Sequence, residues 1–195
     1  MSRLKQLNTP VFAAEGVLAI SPEALELTVN GSAGSQQFTL SQLQSKFPAS
    51  RIDMRLTSVS GWSVRADWDG ILWDDFIAFV KPDITAQFVL FSSAGGYTTC
   101  VRLSELMGSR SMLSWGVSGE PLEPEYGGPL RIVIPNLWGY KSCKWLTRID
   151  FIEKYVTGYW EARGYTHQGK IEAGEILDVN SKQMRRINGG EVTEF

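Results

Sequence analysis

Apolar and polar residues alternate along several short stretches of this chain with the two-residue period of half-buried strands, and glycine turns cut those stretches apart. Leu25-Glu26-Leu27-Thr28-Val29 alternates and ends at Asn30-Gly31, a turn dipeptide. Residues 52–59 alternate again, with Ile52, Met54, Leu56 and Ser58 on one face, and break at Ser60-Gly61-Trp62-Ser63. Ser58 is thereby placed at a strand end just before a glycine turn, where a side chain can face a cleft. Phe88-Val89-Leu90-Phe91 is an apolar run fit for a buried strand, punctuated by Ser92-Ser93-Ala94-Gly95-Gly96, and strand character resumes over 97–103. Two more strands are predicted over 130–134, stopped by Pro135, and over 145–152.

Helical signals are fewer. Thr39 is a cap for a short helix over 40–47 that Pro48 stops; 73–80 reads as another, and 103–107 as a helical turn. Gly119-Glu120-Pro121 and Gly127-Gly128-Pro129 bracket a polar loop. From Lys170 the chain is polar, an edge hairpin, an interface arm or a frayed terminus. Short strands, glycine turns and few helices predict an α+β, mainly β domain over 25–168, with an N-terminal extension over 1–24 and a polar tail over 169–195.

Composition narrows the function. The chain has 195 residues, enough to bury a real core, and a formal net charge of −2, which gives no reason to expect bulk binding of nucleic acid. No stretch approaches the roughly 20 apolar residues of a membrane span, and the first residues lack a signal-peptide pattern, so the expected location is cytoplasmic. Two cysteines and one histidine cannot supply the usual four ligands of a structural zinc site. Both thiols are expected to be free, with Cys100 in the core. His167 lies in the polar run Tyr165-Thr166-His167-Gln168-Gly169 and reads as a solvated loop residue, which disfavours histidine-based nucleophilic catalysis.

The informative feature is an ordered set of short motifs. Ser58-Val59-Ser60-Gly61-Trp62-Ser63 is followed by Trp68-Asp69-Gly70-Ile71, Gly96-Tyr97 and Gly119-Glu120-Pro121-Leu122. Gly127-Gly128-Pro129-Leu130-Arg131 and Gly139-Tyr140-Lys141-Ser142-Cys143-Lys144-Trp145 come next, and Gly158-Tyr159-Trp160 closes the series. In this order and spacing the chain resembles the oxidoreductase molybdopterin-binding family of the sulfite oxidase superfamily, and most of all its small bacterial members without haem. The similarity runs from about Leu25 to Tyr165.

That resemblance implies a sulfite-oxidase-type molybdopterin-binding fold and oxo-transfer on a small substrate. It also implies a molybdenum-bearing pterin cofactor. Arg131, Lys141, Ser142, Cys143 and Lys144 align with the segment that contacts the pterin phosphate, Ser93 with a cofactor-contacting hydroxyl, and Ser58 with the metal ligand. Tyr97 and Tyr126 are expected at the mouth, in catalytic positions, with Tyr126 also touching the cofactor. Family members often form homodimers or pass electrons to haem proteins, yet one histidine offers no haem-ligand pair here. The substrate and electron partner are not named by any residue.

Three positions depart from the family pattern. Ser58 replaces a cysteine whose soft thiolate suits molybdenum, whereas a hydroxyl is harder and holds its proton far more tightly. Tyr126 stands where relatives place His or Asn, and Gly95 where they place Asp. The alternative reading is therefore a non-catalytic relative that keeps the fold and has lost molybdenum cofactor binding.

Overall fold

A computed structural model describes residues 2–31, 34–178 and 182–191. The first sheet has the order β2-β1-β10-β5-β6. Its strands are β1 (Glu26–Gly31), β2 (Gly34–Thr39), β5 (Phe88–Ser93), β6 (Thr98–Arg102) and β10 (Leu146–Ile152). β1 runs parallel to β10, and the other neighbours are antiparallel. The second sheet contains β3 (Ser50–Ser58), β4 (Trp62–Leu72), β7 (Met112–Val117) and β8 (Glu120–Pro121) in that order, with β9 (Arg131–Val133) also paired to β7. A separate hairpin, β11 (Gly174–Asp178) with β12 (Gln183–Ile187), gives the polar tail its structure.

Four short helices complete the chain: α1 (Arg3–Gln6), α2 (Leu40–Lys46), α3 (Trp73–Val80) and α4 (Leu103–Leu106). None among the described residues is long and apolar enough to cross a membrane. Thr39 caps α2 as the sequence predicts. Its hydroxyl accepts from the Gln42 amide at 3.2 Å, and the Gln42 side chain accepts from the Thr39 amide at 2.9 Å, a reciprocal pair that satisfies two otherwise orphaned donors. α3 places Trp73, Phe76 and Val80 against the core.

Burial falls into two large apolar clusters and a small third one of Trp138, Ile171 and Ile187. Of the two large ones, the larger joins β1, α2 and α3 to Val89, Phe91, Leu113, Ile132 and Ile149, and the smaller gathers Met54, Leu56, Val64, Trp68, Met112 and Val133. Adjacent residues therefore point into different clusters: Met112 and Val133 into one, Leu113 and Ile132 into the other. That is the physical reason β9 is apolar at consecutive positions, since both of its faces are covered. Gly70 is obligatory for this arrangement, because a Cβ there would stand 2.0 Å from the Leu113 carbonyl oxygen.

The strands predicted over 25–29, 52–59, 88–91, 97–103, 130–134 and 145–152 all form, with ends shifted by a few residues. β2, β4 and β7 were not predicted as strands.

Candidate functional site

A cavity of about 200 Å³ opens where the end of β3 meets the segment that follows β9. Gly139 lets these two stretches approach, since a Cβ there would lie 3.2 Å from the Thr57 carbonyl oxygen. Ser58, Ser142 and Lys144 all line this one cavity, so the two motifs that are far apart in sequence face each other.

One end of the cavity is cationic. Arg131 starts β9 and is 2% exposed, with its guanidinium donating to the Tyr126 carbonyl at 2.7 Å and the Ser142 carbonyl at 3.0 Å. It also lies over the Trp68 ring, 5.6 Å from the centroid. The Lys144 ammonium donates to the carbonyls of Phe12 and Glu125, both at 2.8 Å. Among the described residues neither cation has a carboxylate within ion-pair distance. Burial lowers the Arg131 pKa to about 10, and burial together with the neighbouring Arg131 charge lowers that of Lys144 to about 7. Ser142 fixes the segment by accepting from the Ile134 amide at 3.0 Å.

A hydroxyl turn forms another part of the lining. Ser58 pairs with Trp62 as the last register of the β3–β4 hairpin. Its Oγ lies 2.9 Å from the Ser60 hydroxyl and accepts from the Ser60 amide at 3.2 Å. No cysteine or histidine lines the cavity, and the described residues hold no cluster of three or more His, Cys, Asp or Glu able to bind a metal.

Tyr97 and Tyr126 both line the cavity. The Tyr97 hydroxyl donates to the Tyr140 carbonyl, and burial pushes its pKa up. The Tyr126 hydroxyl donates to the Thr9 carbonyl at 3.1 Å. Tyr126 is 4% exposed, packed in the smaller of the two large apolar clusters.

The remaining wall comes from residues 9–15, which the sequence had set apart as part of an extension. Glu15 reaches the turn between β5 and β6, where one carboxylate oxygen accepts from the Ser93 hydroxyl at 2.7 Å and the Tyr97 amide at 2.8 Å. Phe12 packs against Trp160, and Trp160 against Tyr165, closing the mouth with aromatic rings. Nothing in the periodicity of residues 9–15 marks them as cavity wall; Glu15 is recognisable only from its long-range partners.

Three of the candidate residues stand outside the cavity lining. Ser93 is 7% exposed and serves the wall through Glu15. Cys143 is buried in the larger apolar cluster, where its thiol donates to the Lys144 carbonyl at 3.4 Å and burial pushes its pKa up. Lys141 is fully buried and turns away. Its ammonium forms an ion pair with buried Glu161 and donates to the carbonyls of Cys100, at 2.9 Å, and His167, at 2.8 Å. Cys100 and Cys143 are both free thiols.

Comparison with known proteins gives the family and the fold. Residues 14–160 match the family described as oxidoreductase molybdopterin binding domain. The chain is 36% identical over 125 residues to the uncharacterised oxidoreductase YuiH of Bacillus subtilis, covering 63% of each protein. It is 26% identical over 159 residues to a putative protein-methionine-sulfoxide reductase subunit, YedZ1, of Azospira oryzae, covering 81% of this chain and 60% of that one. Against the protein-methionine-sulfoxide reductase catalytic subunit MsrP of Ralstonia nicotianae it is 26% identical, covering 72% of this chain and 47% of that one. The chain thus spans less than two thirds of the length of these relatives. Its fold matches the sulfane dehydrogenase SoxCD from Paracoccus pantotrophus with a TM-score of 0.68 at 17% identity, over 90% of this chain and 47% of that one.

Proposed function

Because the chain belongs to the oxidoreductase molybdopterin-binding domain family, we propose that its cavity holds the pyranopterin of a molybdopterin-type cofactor with the phosphate at the Arg131–Lys144 end. The observation that carries this reading is the pair of cations in the cavity wall whose hydrogen bonds run to carbonyls and whose other contacts are aromatic rings, with no carboxylate in ion-pair reach among the described residues. A buried charge without a counter-charge is costly, and a phosphate monoester is the anion that would offset it.

When bound with its metal, such a group supplies oxygen-atom transfer between water and a small substrate. That reaction class is what the resemblance implies for a metal-loaded site; the proposal for this chain is the binding of the pyranopterin. Arg131, held flat by the Tyr126 and Ser142 carbonyls, presents its remaining donors in a fixed plane, and Lys144 adds a compact charge beside it. Tyr97 and Tyr126 tie the walls together through their hydroxyls, while Phe12 and Trp160 pack against each other in the lining. Ser58 lies at the position that the resemblance gives to the metal ligand.

The donor set fits the two ends of this cofactor unequally. The phosphate end fits. At the metal end the lining offers a neutral hydroxyl already engaged with Ser60, and no thiol. That observation favours, as a second reading, the relative without catalytic activity.

Protein purified from a host that makes the cofactor should carry stoichiometric pterin, read by fluorescence after oxidation. Arg131→Leu and Lys144→Met should each lower retained pterin by at least about tenfold, the effect of one lost charge-assisted hydrogen bond. Wild-type protein that emerges with no pterin refutes the proposal.

A further inference from the structure

We propose that this site holds its pyranopterin phosphate without a metal. The inference rests on the pterin-binding reading above and concerns the Ser58 part of the same cavity lining. The pyranopterin's own dithiolene offers a metal two sulfur donors, and the anionic or soft protein donor that would complete and fix the ligand set is missing from the side chains around Ser58. Ser58 and Ser60 share one hydrogen bond between their hydroxyls at 2.9 Å, and the Ser60 amide donates to the Ser58 oxygen at 3.2 Å. A serine oxygen becomes a strong ligand only as an alkoxide, and the Ser58 hydroxyl is hydrogen-bonded to Ser60 rather than to a carboxylate, imidazole or amine that could take its proton. Glu15 is the one carboxylate that lines the cavity among the described residues, and it is already engaged by Ser93 and the Tyr97 amide.

Neither thiol can stand in. Cys143 is 1% exposed among apolar side chains, with its S–H directed to the Lys144 carbonyl. Cys100 is wholly buried on β6. Meanwhile the anion-binding end is intact, with Arg131 and Lys144 still lacking a carboxylate partner among the described residues. Trp62, Trp68 and Trp145 also line the cavity, and their rings suit a flat heterocycle. The pocket has kept what recognises a phosphorylated planar ring and lacks what would hold a metal on it.

The test is the composition of the full chain purified from a host that makes both the pterin and its metal-loaded form. Pterin is read by fluorescence after oxidation, and molybdenum and tungsten by elemental mass spectrometry. The expected result is stoichiometric pterin with metal at less than about a tenth of the pterin. Metal equal to pterin overturns the inference and leaves the pterin-binding reading standing; absence of pterin overturns both. Flavin mononucleotide emission in place of pterin emission also overturns both, since it shares the phosphate but not the ring. Ser58→Cys, which puts a thiol at the same strand end, is expected to raise metal per pterin at least tenfold. A Ser58→Cys protein that keeps its pterin and gains no metal shows that the missing donor at this position is not the cause.

Discussion

Arg131 and Lys144 share one cavity wall but hold their protons differently. With a pKa of about 10, Arg131 stays charged throughout the neutral range, whereas Lys144, at about 7, is balanced between its two forms. An anion bound beside Lys144 favours the charged form, so binding takes up a proton whenever the free lysine is neutral. Affinity is therefore expected to be flat below about pH 6 and to fall as pH rises through 7, approaching tenfold per pH unit. Sulfate is the right probe, because unlike phosphate it does not titrate in this range, and calorimetric titration across pH 5.5–9 reads the slope. Lys144→Met should weaken binding and flatten the profile, and a profile unchanged in that variant would show that Lys144 is not the source of the slope. Lys144 and Arg131 were legible as candidates from their motifs alone. Lys141, equally prominent in Gly139-Tyr140-Lys141-Ser142, was not separable from Lys144 by sequence. A 3-10 turn over Gly139–Lys141 sends its side chain away from the cavity, and its partner Glu161 lies on a distant segment.

That buried pair acts at the scale of elements. Lys141 and Glu161 join the Gly139–Lys141 turn to β6, through the Cys100 carbonyl and the Thr99 hydroxyl, which donates to Glu161 at 2.8 Å. Removing one partner leaves a charge buried without compensation. Glu161→Leu is expected to cost about 3–5 kcal/mol in urea unfolding, and adding Lys141→Met to it should recover most of the loss. Additive losses in the double variant would show that the two side chains act separately. Gly70 is a second element-scale constraint. Its α-carbon faces the β7 backbone so closely that Gly70→Ala should destabilise by at least about 3 kcal/mol, measured the same way, or prevent folding. β4 carried a readable signal in its alternating Trp62, Val64, Ala66 and Trp68, but the motif blocks at its two ends drew the reading away from the strand between them. β7 carried none: it is buried on both faces and holds Ser114 at its centre, so no two-residue period survives. Its partners β4 and β9 are distant in sequence, and only the pairing reveals it.

At the scale of the whole molecule, the two sheets and their apolar clusters form a body to which the first fifteen residues are attached mainly by polar contacts. From that segment only Leu4 enters a buried cluster, with Leu7 packed at its edge. The other attachments are mostly polar: Ser2 to Glu123, Lys5 to Glu123 and Glu125, Thr9 to Tyr126, Phe12 to Lys144, and Glu15 to Ser93 and Tyr97, with the Phe12 ring also against Trp160. Removing residues 2–15 should therefore leave a single cooperative unfolding transition, lowered by about 2–5 kcal/mol as for one lost buried leucine. The cavity should change far more than the fold. Losing this wall admits water, screens the cations and weakens sulfate binding. It also removes the burial that depresses the Lys144 pKa, which should climb back toward the ordinary lysine value and carry the midpoint of the pH profile up with it. A shortened chain that unfolds cooperatively yet keeps both the affinity and the midpoint near 7 would show that the cationic end is enclosed by the β-sheet body alone.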